Sequence, residues 1–215
     1  MNKDFLIAVT GGLGAMLGWG VSDFFAKKTV DRINDTVALF WMQLFGVAPL
    51  LTLFLISFRL PSFSLPTILR LLVLSLIDGI GYLMFYKALE KGKVSVVSPI
   101  VASYSAFAVL ISTLVFGEQL SPGVVFVLGV IFAGIMLTTI DFEEIRKDSF
   151  DWEDLARGVP EALLAVLCFA VWFPFWDNFV SSTDWLVSVI LLRITISIFL
   201  LLVIRKRKLS IVVRD

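Results

Sequence analysis

Apolar residues in this chain run in long unbroken blocks, not in the alternation of a half-buried strand or the single stripe of a surface helix. Seven blocks stand out, at about 5–26, 36–58, 67–89, 94–116, 122–140, 159–180 and 184–204. Each has roughly the 20 residues an α-helix needs to cross about 30 Å of hydrocarbon. Lipid offers backbone N–H and C=O groups no partners, so apolar blocks of this length must pair their backbones internally as helices. The pattern predicts an all-α integral membrane protein of about seven transmembrane helices, with the lipid bilayer as its first partner.

The breaks between blocks have local causes. Pro61 and Pro66 flank the second connection. Ser121 and Pro122 open the fifth block, where proline suits the first turn. Pro99 and Pro174 fall inside blocks and predict kinks, since each removes a helical donor. The connections are short except for 141–158, where Asp141, Glu143, Glu144, Arg146, Lys147, Asp148, Asp151, Glu153, Asp154 and Arg157 crowd together. So many charges belong in water or at the interface. The run from Phe5 to Phe25 exceeds a signal-peptide core and ends in Lys27 and Lys28, so it reads as a retained first helix.

Composition agrees and narrows the chemistry. The chain of 215 residues is 59% hydrophobic with mean hydropathy +0.96. Eighteen basic residues balance eighteen acidic ones, so no overall charge draws it to nucleic acid. One cysteine, Cys168, rules out an intrachain disulfide. The absence of histidine excludes His-based zinc sites and Ser-His hydrolase triads. There is no Gly-Lys-Ser/Thr phosphate loop, so nothing points to nucleotide hydrolysis, and no cofactor or metal is implied.

Basic residues set the expected orientation. Lys3, Arg59 and Arg70 fall on one side. Lys27, Lys28, Arg32, Lys87, Lys91, Lys93, Arg146, Lys147, Arg157, Arg205, Lys206, Arg207, Lys208 and Arg214 fall on the other. That asymmetry predicts an external N-terminus and a cytoplasmic C-terminal end, in a cell (plasma or inner) membrane.

Polar residues inside spans are costly and therefore candidates for function. Asp78 lies mid-block with Tyr82 and Tyr86 at i+4 and i+8, an acid and two phenols on one stripe. The stripe suits either a cavity for a cationic or hydroxylated solute, a proton carrier, or a hydrogen bond between helices. Trp19, Asp23 and Lys27 repeat the spacing, with Asp23 and Lys27 able to pair along the helix. Arg193 sits mid-block and suits either an anionic group or an acidic partner such as Asp78, Asp23 or Asp177. Gln43 is a weaker polar site of the same kind. Trp172, Trp176 and Asp177 cluster near one end of the sixth block. Ser98 accompanies Pro99 in the fourth, where a serine serves either substrate or a neighbouring helix. Gly14 and Gly18 have the spacing that lets helices approach closely, within the bundle or in a homodimer.

These pieces have a familiar order. Residues 81–90 (GYLMFYKALE), 97–100 (VSPI), 115–122 (VFGEQLSP) and 128–137 (LGVIFAGIML), with the opening 17–27 (LGWGVSDFFAK), resemble an EamA domain of the drug/metabolite transporter superfamily. That resemblance implies a permease built from two five-helix repeats of inverted topology. Residues 1–142 are then a first repeat, 143–158 a charged linker, and 159–215 the start of a second. Ala170 to Trp172 resembles Leu17 to Trp19, Asp177 stands near the place of Asp23, and Arg193 matches Gln43. The family usually keeps both termini in the cytosol, which conflicts with the charge count; the charge count is followed here.

The expected function is secondary transport or export of a small metabolite or drug-like solute by alternating access, coupled to a gradient. The substrate-binding candidates are Trp19, Asp23, Lys27, Gln43, Asp78, Tyr82, Tyr86, Ser98, Trp172, Asp177 and Arg193. The competing reading is a non-transporting membrane scaffold or sensor. An intramembrane protease is disfavoured: Asp78-Gly-Ile-Gly81 reverses the order of a presenilin-type site and has no Tyr-Asp partner. Seven spans make one repeat plus two helices, so the expectation is a fragment of weak activity, lacking three helices of the second repeat.

Overall fold

The computed structural model describes residues 3–58, 61–139 and 156–211. The charged stretch 143–155 lies outside the described residues, as do Arg59 and Arg214. The helices are α1 (Lys3–Val30), α2 (Asp35–Ser57), α3 (Leu65–Lys91), α4 (Val94–Ala102), α5 (Tyr104–Ile111), a π-helical turn (Ser112–Phe116), α6 (Pro122–Thr139), α7 (Val159–Ser181) and α8 (Trp185–Lys206). No strand occurs among the described residues. The protein is all-α, as the apolar blocks predict.

Five helical stretches among the described residues are long and apolar enough to cross a bilayer: α2, α3, the composite Val94–Phe116, α7 and α8. The other two long helices, α1 and α6, coincide with the first and fifth apolar blocks. Glycines together with Asp23, Lys27 and Lys28 dilute the hydropathy of α1.

Side chains open several helices by accepting their first free amides. Asn34 Oδ1 accepts from Thr36 N at 3.1 Å to start α2. Asp184 Oδ1 accepts from Val187 N at 2.9 Å to start α8. Ser64 does the same for α3, with Pro66 in the first turn. The fourth span ends at Gly117, whose φ of 69° is the left-handed cap glycine adopts freely.

The fourth span breaks at Ser103, one turn beyond the expected kink at Pro99. Ser103 Oγ donates to the Ile100 carbonyl at 2.6 Å. Ser103 N also bonds the Pro99 and Ile100 carbonyls, at 3.2 and 3.1 Å. In a continuous helix the Ile100 carbonyl would take the amide of Tyr104. The serine's local bonds compete for it and end α4, within a segment already loosened by proline. Pro174, by contrast, is buried inside an uninterrupted α7.

α3 is the hub, packing on α7, α8, α2, α1 and α4. Its C-terminal half is buried almost all round because Gly79 and Gly81 admit Ile196 and Phe169 against the backbone. α8 fills the groove between α2 and α3, and α7 lies on α3, α4 and α5. α6 rests on α4. α1 is peripheral; Ala26 and Val30 are its buried residues among those described, while Leu13, Leu17, Phe24 and Phe25 face outward. An outer surface this apolar belongs in hydrocarbon.

The helices alternate in direction, so the end of α3 meets the starts of α2 and α7 and the ends of α1 and α8. Lys27 Nζ donates to the Leu89 carbonyl at 2.8 Å. Trp41 Nε1 donates to the Ile211 carbonyl at 3.2 Å. Lys91 pairs with Glu161. The backbone entering α7 lies directly on the end of α3: a Cβ on Gly158, whose φ is +81°, would strike the Ala88 carbonyl, and one on Gly92 would strike that of Arg157.

Candidate functional site

Two groups of polar side chains lie inside the bundle, and α3 contributes to both. The first is a joint between α2, α3 and α8. Arg193 Nη1 on α8 donates to Gln43 Oε1 on α2 at 2.9 Å and sits 3.9 Å from Met42 Sδ. The guanidinium lies across Gly46, where any Cβ would collide with it. Asp78 on α3 is 2% exposed, and Arg193 is within electrostatic reach of it. Among the described residues the two make no direct ion pair. Asp78 Oδ1 and Arg193 Nε have no hydrogen-bond partner. Leaving such groups unpaired in a buried place costs about 1–3 kcal/mol each, and sites that tolerate the cost are candidates for function. Nearby hydroxyls are quieter: Ser75 and Ser197 bond back to the Leu71 and Arg193 carbonyls of their own helices.

The second group lines a recess of about 130 Å³ between α1, α3, α4, α5 and α7. Asp23 and Ser98 supply its acid and its free hydroxyl; Trp19, Tyr82, Tyr104 and Phe173 supply much of its aromatic wall. Tyr104 stacks on Phe173 at 4.5 Å between centroids, and Trp19 meets Phe173 edge-on at 6.4 Å. Tyr82 packs edge-on against Phe169 at 5.0 Å. Ser98 Oγ is close enough to act on the Asp23 carboxylate but makes no well-formed hydrogen bond. Asp23 lies seven residues before the end of α1, about 10 Å along the helix axis. The recess therefore lies about two helical turns in from that end of α1.

The sequence candidates divide between these groups and the periphery. Trp19, Asp23, Tyr82 and Ser98 meet in the recess. Gln43, Asp78 and Arg193 meet at the joint. Tyr86 faces a separate crevice between α1 and α2, beside Met42 and Trp41. The stripe Asp78–Tyr82–Tyr86 thus spreads over different neighbours, because each step of four residues turns about 40° around the helix. Lys27 does not pair with Asp23: its ammonium bonds Asp31 at 2.8 Å, one turn further on, and the Leu89 carbonyl. Trp172 is buried, stacked on Trp176 at 5.2 Å, with its Nε1 unpartnered. Asp177 is exposed near the other end of the bundle.

Phe169, Phe173 and Gly46 were not candidates from sequence. The two phenylalanines have helical i, i+4 spacing, but among 20 phenylalanines that spacing selects nothing. Gly46 carries no local signal at all, since only the crossing of α8 makes it necessary.

Comparison with known proteins adds a family. The model of the EamA-like transporter family matches residues 6–140. A protein of Archaeoglobus fulgidus named "Uncharacterized transporter" is 27% identical over 117 residues, which is 54% of this chain and 42% of that protein. The chain thus spans less than half the length of that relative. No solved structure matches.

Proposed function

Because the chain belongs to the EamA-like transporter family, and is in that general sense a membrane transporter, we propose that it moves a small metabolite or drug-like solute by alternating access, driven by a solute or proton gradient. The observation that supports this reading is the recess holding Asp23, Ser98 and Tyr82 among the apolar helices of the bundle. A carboxylate and a hydroxyl inside a bilayer are costly unless a passing solute or ion uses them. The buried joint of Gln43, Asp78 and Arg193 supports the same reading as the place where two halves could rock. In the two-repeat reading, Gln43 and Arg193 hold equivalent positions. A two-fold relation brings equivalent residues near its axis into contact, and these two hydrogen-bond each other. Residues 1–142 and 159–215 are accordingly proposed as a first repeat and the beginning of a second.

The test is flux. The protein is reconstituted into liposomes, a proton or solute gradient is imposed, and uptake is followed over a panel of amines, amino acids and sugars. Flux above protein-free vesicles is expected, reduced in Asp23→Asn and Asp78→Asn. Correctly inserted protein that moves no solute under any gradient would sink the transport reading in favour of a scaffold or sensor.

A further inference from the structure

We infer that the recess between α1, α3, α4, α5 and α7 is a site for a small organic cation, an alkylammonium ion held by Asp23 and the surrounding aromatic rings. The inference deepens the transport reading and rests on it for the idea that the ligand is cargo. Three observations carry it.

The first is charge. Asp23 is the one carboxylate on the recess wall, which holds no lysine or arginine. Its nearest sequence partner, Lys27, is taken by Asp31 and by the Leu89 carbonyl. No lysine or arginine pairs with Asp23 among the described residues. Arg193, the cation best suited to an anionic solute, lies outside the recess and is bound to Gln43. An anionic ligand would meet a carboxylate with no basic side chain on the recess wall to offset it, whereas a cation supplies the missing counter-charge.

The second is the wall. Trp19, Tyr82, Tyr104 and Phe173 line the same recess as the carboxylate, and a ring face attracts a partly desolvated cation by about 2 kcal/mol. Apolar N-methyl or methylene groups suit such a wall, while a heavily hydrated ion such as sodium does not. The third is Ser98. Its hydroxyl is buried yet unpartnered, beside Asp23, so it is free to accept a hydrogen bond from an N–H or O–H on the same ligand.

The experiment measures equilibrium binding of radiolabelled choline to the full chain in lipid nanodiscs, with competition by 3,3-dimethylbutan-1-ol, its uncharged carbon isostere. Choline is expected to bind at least about tenfold more tightly than the isostere, as a single desolvated charge-to-ring or charge-to-carboxylate contact predicts. Asp23→Asn should lose about that factor, Asp23→Glu should restore most of it, and Phe173→Leu should weaken choline more than the isostere. Glu118→Gln, on the exposed connection before α6, is the control that changes nothing. Equal affinity for choline and its isostere, no choline binding by folded protein, or full binding in Asp23→Asn would overturn the cation assignment. The two readings fail separately. Flux of neutral or anionic solutes without choline binding leaves transport standing and removes the cation; choline binding with this pattern but no flux of any solute does the reverse.

Discussion

Arg193 Nη1 on α8 donates a hydrogen bond to Gln43 Oε1 on α2 at 2.9 Å, and the guanidinium lies across Gly46 one turn along, where a Cβ would collide with it. The same guanidinium acts on Asp78 from α3 without pairing with it. Three helices far apart in sequence are therefore joined by one side chain.

Removing that side chain should loosen the bundle. Arg193→Met is expected to lower unfolding stability in detergent by about 1.5–3 kcal/mol, the range for a hydrogen bond to a charged group. Asp78→Asn in the same background should cost less than it does alone, because the acid no longer has its cation. A double-mutant cycle measured by thermal unfolding checks this; strictly additive effects would mean that the two groups do not sense each other.

Glycine positions should separate sharply. A Cβ at Gly46 collides with Arg193, and one at Gly81 would lie 2.9 Å from the Phe169 ring. Gly81→Ala should destabilise by about 1–3 kcal/mol, as overpacking does, and Gly46→Ala by about 1.5–3 kcal/mol through the guanidinium it pushes off Gln43. Gly14 and Gly18 have nothing within 4 Å of an added Cβ. Gly14→Ala and Gly18→Ala should be neutral or stabilise by up to about 1 kcal/mol through helix propensity. Thermal unfolding of the four variants orders them directly.

The Lys91–Glu161 pair ties the end of α3 to the start of α7. Lys91 is half exposed, so solvent screens the pair. A Lys91→Ala and Glu161→Ala cycle should give a coupling below about 1 kcal/mol. It should shrink further in molar salt, where the screening length falls to about 3 Å. A large, salt-insensitive coupling would mean that the pair is shielded from water.

An orientation is expected from the basic end of the bundle, where Lys28, Lys91, Arg205, Lys206 and Lys208 gather. With that end cytoplasmic, a cysteine introduced as Lys208→Cys in a Cys168→Ser background should react with a membrane-impermeant maleimide only after cells are opened. One introduced as Leu65→Cys, at the other end of α3, should react in intact cells. The opposite labelling pattern would invert the topology.

Much of this fold was legible along the chain because lipid imposes a simple rule: long apolar blocks must be helices. The blocks at 36–58, 67–89, 159–180 and 184–204 reappear within a few residues as α2, α3, α7 and α8. The fourth block was legible as a span but not as a broken one, since the break depends on where the Ser103 hydroxyl turns. In the site, Trp19, Asp23, Ser98 and Tyr82 stood out as polar or amphipathic residues in apolar surroundings, and they do meet. Their aromatic neighbours Phe169 and Phe173 did not, because an aromatic residue in a membrane helix looks the same whether it faces lipid or a cavity.

The sequence by itself determined that the chain is helical and membrane-embedded, which charges would be expensive, and which end of the bundle is basic. Those properties follow from local composition and the 1.5 Å rise per helical residue. Only the tertiary structure decided how the costly groups divide. Packing placed Arg193 on Gln43, away from the recess, and tied Lys27 to Asp31 and Leu89. Asp23 thereby became the recess's one unbalanced charge. Periodicity along one helix could not make that division, because it tells which residues share a face but not which neighbouring helix that face meets.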